Sequence, residues 1–191
     1  MLVRMPRQTK QELDDEIINC AATLFARHGF KETSIQRIAD AVGYSKTGLL
    51  HRYPSKKALQ QAVLDGCVAE MRAISTAVAD LPPGPSRDRE TIEALVDLAL
   101  RRPGFMALLL SILNSLDASD VAPYVAAIGD ALSSAFASAP DDLARAVRIV
   151  GALGALAVAA VTCHDRPPSE VRPLLAAVSY DALGHPHPTA N

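Results

Sequence analysis

Apolar residues recur at helical spacing along almost the whole chain, and the strict alternation typical of β-strands is missing. The first long pattern runs from about residue 10 to 28, with an inner face of Leu13, Ile17, Cys20, Ala21 and Leu24. Gly29 is predicted to end this helix, because glycine adopts a left-handed backbone at little cost. A second long pattern runs from about residue 56 to 79, with an inner face of Leu59, Val63, Cys67, Met71, Ile74 and Val78. These patterns predict an all-α protein.

Between these two helices the sequence predicts two very short helices and a tight turn. The first carries one apolar face, formed by Ile35, Ile38, Ala39 and Val42. Thr33 and Ser34 are its candidate N-caps, and Thr33 is expected to form a reciprocal capping box with Gln36. Gly43 is expected to end it, and Ser45 to cap the next helix. Helix, glycine turn and helix are typical of the helix-turn-helix, whose second helix enters the DNA major groove.

A proline-rich break at residues 81–85 separates these elements from five more predicted helices. We place those helices at about 88–101, 104–116, 121–137, 141–163 and 169–183. The domain organisation that follows is a flexible basic arm, an N-terminal three-helix DNA-binding domain, a C-terminal helical ligand-binding and dimerisation domain, and a disordered tail. The arm spans residues 1–9, and the DNA-binding domain spans 10–57, with the motif at about 34–53. The C-terminal domain spans 58–184, and the tail spans 185–191.

The segment from about residue 11 to 71 resembles the TetR family of bacterial transcription regulators. The matching pieces, in order, are LFARHGF at 24–30, TS at 33–34, IADAVG at 38–43, SKTGL at 45–49 and YPSK at 53–56. The resemblance implies a dimeric, ligand-responsive regulator, most often a repressor, that binds a roughly palindromic double-stranded DNA operator. Leu50 departs from the pattern, since the family usually has a tyrosine there that touches a phosphate.

The resemblance implies that residues at the start of the second short helix reach base edges. These are Lys46, Thr47 and Gly48, with Tyr44 and Gln36 nearby. A lysine can donate to guanine, and a threonine methyl can contact thymine. The expected phosphate contacts are Thr33, His51, Arg52 and Lys56. A solvated surface lysine remains the alternative for Lys46, and the capping box competes for the side chain of Gln36.

The net charge of −2 at first argues against a DNA-binding protein, but the charges are unevenly distributed. Residues 1–60 hold ten Lys and Arg against six Asp and Glu, a net of +4. Residues 61–191 hold nine Lys and Arg against fifteen Asp and Glu, a net of −6. This separation suits a protein that meets phosphates with one end only.

The sequence gives no reason to expect an enzyme, a metal, a cofactor or a membrane location. The three cysteines lack disulfide or zinc spacing, and His185 and His187 lie in a tail that makes a poor metal site. Cys163, His164 and Asp165 are adjacent on one helix, so they cannot form a catalytic triad among themselves. The longest uncharged apolar run, 149–163, is too short to span a bilayer and is expected to form a helix buried on most sides. With no signal peptide evident, a cytoplasmic location is expected.

The C-terminal helices carry two further expectations. The resemblance implies a homodimer through about residues 141–183, because the last two long helices pair with those of a partner. A small hydrophobic effector is expected among the fourth to eighth predicted helices, from residue 56 to 163. Its candidate walls are Met71, Leu98, Phe105, Met106, Leu109, Leu110, Leu113, Tyr124 and Ile128. Burial in an ordinary core is the alternative for every one of these residues. A helical interaction protein that lost DNA binding is the alternative for the whole chain, and Leu50 is its best support.

Overall fold

The computed structural model describes residues 9–113, 119–139 and 141–185, and the side chains of Leu113 and Ser119 lie outside the described part. Residues 1–8 of the predicted arm and 186–191 of the predicted tail also fall outside it. The described ranges hold nine α-helices, one short 3₁₀-helix (Ser119–Val121) and no strand, so the all-α prediction is confirmed. The helices are α1 (Lys10–Glu32), α2 (Ile35–Ala41), α3 (Lys46–Arg52), α4 (Lys56–Ala77), α5 (Pro85–Arg101), α6 (Pro103–Leu113), α7 (Ala122–Ala135), α8 (Leu143–Thr162) and α9 (Pro168–Ala182).

Capping side chains set the ends of the N-terminal helices. Thr9 and Glu12 form a reciprocal capping box at the start of α1. The predicted stop at Gly29 holds, because this residue adopts φ 77° and interrupts the helical backbone within α1. The capping box predicted for α2 is wrong, since Ser34 is the N-cap and accepts from the amide of Arg37. The same role falls to Ser45 for α3 and to Ser55 for α4.

Helices α1 to α3 pack around one aliphatic core with the first half of α4. Ile17, Phe25, Ile38 and Leu49 are among its fully buried members. The predicted inner face of α4 is confirmed along its length, with Leu59, Val63, Cys67, Met71, Ile74 and Val78 all buried. Burial of these side chains fixes α3 against α1 and α2, so the opposite face of α3 is left toward solvent.

A second attachment, between α1 and α6, joins this N-terminal head to the C-terminal body. The amide of Gly104 donates to Asn19 Oδ1 at 2.9 Å, and a Cβ at Gly104 would lie 2.8 Å from Thr23 Oγ1. An ion pair adds to this contact: Arg102, just before α6, places its Nη2 2.6 Å from Asp15 Oδ1 of α1. Arg102 also lies 3.5 Å from Glu70 of α4. The head is therefore fastened to the body through α6 as well as through the continuous helix α4.

Arg87 links the C-terminal ends of α4 and α7 by hydrogen bonds. Its guanidinium donates to the carbonyl oxygens of Ala79 and Leu81, just beyond α4, and of Ser134 and Ala135, at the end of α7. These four hydrogen bonds measure 2.7–3.1 Å, and Arg87 is only 7% exposed. A cation here satisfies helix C-terminal carbonyls and complements the negative ends of both helix dipoles.

Asp88, fully buried in the first turn of α5, forms hydrogen bonds with two basic side chains. It accepts from Arg145 Nη2 and from His185 Nε2, each at 2.5 Å. His185 falls within the predicted tail, but its ring centroid lies 5.0 Å from that of Tyr180 and its Nε2 is paired with Asp88.

Helix α8 differs from the expectation of a helix buried on most sides. Its 20 residues are long and apolar enough to cross a membrane by length and composition alone, with mean hydropathy 1.8. The length predicted from the sequence was shorter, because the uncharged run 149–163 leaves out the first six residues of the helix. Only 22% of its most apolar stretch is buried. Its exposed face and that of α9 carry Leu143, Val147, Val150, Val158, Leu174 and Val178.

Candidate nucleic-acid interface

The solvent face of α3 brings together three of the residues expected to contact DNA. Lys46, Thr47 and His51 are all exposed, while Leu49 on the opposite face is fully buried, as expected. The position of α3 follows from the buried leucine and from the glycine turn at Gly43, where φ is 69°. The resulting surface offers one ammonium and one hydroxyl in the first turn of α3, groups that can read base edges, and one imidazole in its last turn.

Gly48 has a local reason to lack a side chain. A Cβ there would lie 3.1 Å from Ser45 Oγ and 3.4 Å from a ring carbon of Tyr44. The hydroxyl of Ser45 is already used, since it accepts from the amide of Gly48 at 3.0 Å. The glycine thus lets the half-buried Tyr44 ring lie beside the first turn of α3.

Arg52 lies at the end of α3, with its guanidinium committed to α1. It is ion-paired with Asp14 and donates through Nη2 to the carbonyl of Lys10 at 2.8 Å. Arg52 lowers the pKa of Asp14, and the same pairing raises the pKa of Arg52. Because Asp14 compensates its charge, Arg52 is a weaker candidate for a phosphate contact than the sequence indicated.

Tyr53, half-buried and next in the chain, completes this pairing. Its hydroxyl donates to Asp14 Oδ1 at 3.2 Å. Burial raises the pKa of Tyr53 to about 12, and the charge of Asp14 adds to this shift. The phenol therefore stays protonated and remains a donor across the physiological range.

Two further phosphate candidates are tied to the end of α1. Thr33 is buried, and its hydroxyl donates to the carbonyls of Gly29 at 2.8 Å and Leu24 at 3.2 Å. Its side chain is thus a structural anchor and does not reach the surface. Lys56 donates to the carbonyl of Lys31 at 2.8 Å, which uses one of the three donors of its ammonium and leaves two.

Helix α2 supplies one expected residue and one that sequence analysis missed. Gln36 is exposed and donates to Asp40 Oδ1 at 2.6 Å instead of capping the helix. Arg37 is exposed beside it on the same helix. The signal was present in the pattern, because residue 37 falls on the polar side between the buried Ile35 and Ile38. Leu50 is half-buried and packs against the core, so it presents no polar group to a phosphate.

The expected effector wall is packed into the body. Met71, Leu98, Phe105, Met106 and Ile128 are buried, and Leu109, Leu110 and Tyr124 are half-buried, while the side chain of Leu113 lies outside the described part. Two clefts each include one of these residues. Phe105 lines one of about 380 Å³ with Glu70 and Arg102, and Leu110 lines one of about 670 Å³. The set is better explained as core than as the wall of one cavity.

Two cysteines lie in the N-terminal half of the chain, and both are shielded from solvent: Cys67 is buried and Cys20 is half-buried. Burial raises the pKa of Cys67 to about 12 and, more weakly, that of the half-buried Cys20. Both therefore remain thiols at neutral pH. His164, beside Cys163, directs Nδ1 to the carbonyl of Val161 at 3.0 Å.

The N-terminal part of the chain matches known proteins in sequence. Residues 17–63 match the model of the family described as bacterial regulatory proteins, tetR family. Over 85 residues the chain is 34% identical to the transcriptional repressor KstR2 of Rhodococcus jostii, an alignment covering 42% of this chain and 38% of that protein. Over 48 residues it is 46% identical to the regulator RutR of Escherichia coli, covering 25% and 23%. The chain thus spans less than two fifths of these relatives.

A solved structure shows the same fold over nearly the whole chain. The match to AmtR of Mycobacterium smegmatis has a TM-score of 0.63 at 24% identity, and it covers 96% of this chain and 90% of that one. The likeness of fold therefore extends beyond the head to the helical body.

Proposed function

Since the chain belongs, through residues 17–63, to the tetR family of bacterial regulatory proteins, we propose that it is a DNA-binding transcriptional repressor. Relatives that match this part of the chain are transcriptional repressors and regulators of the helix-turn-helix type. The single observation that carries the proposal is the solvent face of α3, where Lys46, Thr47 and His51 stand exposed on a helix held by a buried Leu49.

Each exposed group has a defined part in this proposal. Lys46 and Thr47 read base edges in the major groove, with Tyr44 and Gln36 beside them. His51, Lys56 and Arg37 contact the phosphate backbone, and the basic head draws the protein to DNA. Arg52 and Thr33 position α3 and α2 on α1, and the backbone of Gly48 gives close approach.

Fluorescence anisotropy with the DNA upstream of the protein's own gene tests this directly. Wild-type protein should bind that duplex more tightly than a shuffled duplex of equal length. Lys46→Ala should relax the preference at one position per half-site, at a cost of about 1–3 kcal/mol on the preferred base. Arg72→Ala, which removes an exposed arginine far along α4, is the matched control and should bind as wild type. Equal binding of both duplexes by the wild type would contradict specific recognition.

A two-fold homodimer through α8 and α9 is the second part of the proposal. Six large apolar side chains stand exposed on these two helices, at 45% to 75% exposure. A large exposed apolar face usually marks an interaction site, and two-fold symmetry in the protein would be mirrored in a roughly palindromic operator. A second copy is favoured over a bilayer, because the first two turns of α8 carry Arg145 and Arg148, and Arg145 is paired with buried Asp88.

Release from DNA by a small, largely apolar effector bound in the body is the third part. The two attachments of the head to the body, along α4 and through Gly104 of α6, would transmit a change in the body to α3. An effector that weakens operator binding must itself bind more weakly in the presence of the operator, by the same factor. The alternative of a helical interaction protein rests on Leu50, and the anisotropy experiment separates it, since such a protein would bind neither duplex.

A further inference from the structure

A cleft of about 670 Å³ opens where α1, α6 and the end of α8 meet. Small and aliphatic side chains, among them Ala26, Ala107, Leu110 and Val161, form most of its lining. Its volume falls within the range of small-molecule sites, which are mainly apolar with a few polar groups. Only Leu110 is shared with the effector wall expected from the sequence, so this is a different place in the molecule.

The polar lining of this cleft consists of the hydroxyls of Thr23 and Ser111 and the basic side chains of Arg27 and His164. Arg27 and His164 both line it, and none of its nine lining residues carries a carboxylate. Both side chains are exposed, and within the described residues Arg27 forms no ion pair. His164 contacts the carbonyl of Val161 through Nδ1, so that nitrogen carries a proton and Nε2 is left for another partner.

From this combination we propose that the α1–α6–α8 cleft binds an amphipathic anion, a small molecule with an aliphatic chain and one carboxylate. The chain lies against Ala26, Ala107, Leu110 and Val161, and the carboxylate meets Arg27, whose planar fork suits bidentate pairing. The ligand touches a head helix and two body helices at once. Binding would therefore favour one arrangement of head and body, which is how it would bear on the proposed DNA binding.

Isothermal titration of the full chain with decanoate and with 1-decanol, both below micelle-forming concentrations, tests the site. The two probes share a chain and differ in charge. Decanoate should bind at least about fivefold more tightly than decanol, because only decanoate pairs with Arg27. Arg27→Gln should abolish that difference and leave decanol binding unchanged. Arg72→Gln, the matched exposed arginine outside the cleft, should behave as wild type.

A second variant tests the apolar part. Ala107→Leu fills the cleft and should weaken both probes, with circular dichroism confirming that the helices are retained. Equal affinity for the two probes, an unchanged preference in Arg27→Gln, or no binding of either probe by the wild type would overturn the site. These titrations need no DNA, so they stand apart from the proposed function. Tight decanoate binding by a protein that does not bind its upstream DNA specifically would support the site and contradict the proposed repressor function.

Discussion

Arg52, the last residue of α3, is ion-paired with Asp14, which lies 38 residues earlier in α1. The pair fastens the end of the proposed reading helix to the first helix of the head. Tyr53 adds its hydroxyl to the same carboxylate. Asp14 thus adds a second anchor for α3 to the burial of Leu49, and its contribution depends on pH because its pKa is shifted.

We expect Asp14→Asn to lower the free energy of unfolding at neutral pH by about 0.5–1 kcal/mol, the range of partly exposed ion pairs. Pairing lowers the pKa of Asp14 below its ordinary value of 3.8. The stabilisation is therefore present above about 3.8 and is lost as the pH falls through the lower pKa of the folded state. Urea unfolding from pH 7 to pH 2 measures the difference. Asp65→Asn, an exposed carboxylate of α4, is the control. A cost that persists undiminished at pH 2 would contradict the pairing.

Arg37→Ala should weaken binding to the upstream duplex and to a shuffled duplex by the same factor, roughly threefold to tenfold. The reason is that a phosphate contact carries no sequence information. The slope of log affinity against log salt should fall by about one unit. Anisotropy titrations at several salt concentrations measure both quantities. A loss confined to the upstream duplex would assign Arg37 to base reading instead.

Gly154→Arg should convert the proposed dimer to a folded monomer. A Cβ at Gly154 meets nothing within 4 Å, so the arginine fits the isolated protomer but places charge in the proposed seam. Gly129→Arg on α7 is the matched control, since its surroundings are equally open. Light scattering at micromolar concentration reports the mass, and circular dichroism the fold. A monomeric wild type, or a dimeric Gly154→Arg, would count against α8 and α9 as the interface.

Gly104→Ala should destabilise the protein by about 2–4 kcal/mol, because the added methyl meets Asn19 and Thr23 and forces α1 and α6 apart. Gly129→Ala on α7, outside the proposed dimer helices, is the control of opposite sign. That position is open and helical, so the change should be neutral or stabilising by up to about 1 kcal/mol. Thermal unfolding of both variants measures the difference. Equal stability would show that the α1–α6 contact yields easily.

Arg87→Leu should cost about 1–3 kcal/mol, because four carbonyl oxygens just beyond α4 and at the end of α7 lose the buried guanidinium that donates to them. Arg87→Lys should recover only part of this loss, since one ammonium cannot span all four oxygens. Chemical unfolding of the two variants beside Arg72→Leu provides the measurement. A wild-type midpoint in Arg87→Leu would show that water replaces the guanidinium without cost.

The head was predictable because its signals are local. Ser45, Gly43 and the spacing of Ile35 and Ile38 fix two short helices within a few residues, and all were legible in the sequence. The contacts of Arg52 and Lys56 were not, since their partners lie 38 and 25 residues away. Periodicity identifies a buried face but not which helix covers it. The effector wall stays a prediction for that reason, as an apolar stripe looks the same in a core and in a cavity.

The contact of Gly104 with Asn19 also bears on how this protein would tolerate being recombined. A designer exchanging heads between regulators would naturally cut the chain just before α4, at Ser55. The transplanted head would then carry an α1 whose small and amide side chains were matched to a different α6. A working chimera would need to bring both surfaces of that seam, so the unit of exchange is the head together with residues 102–104, which lie far along the chain from the cut.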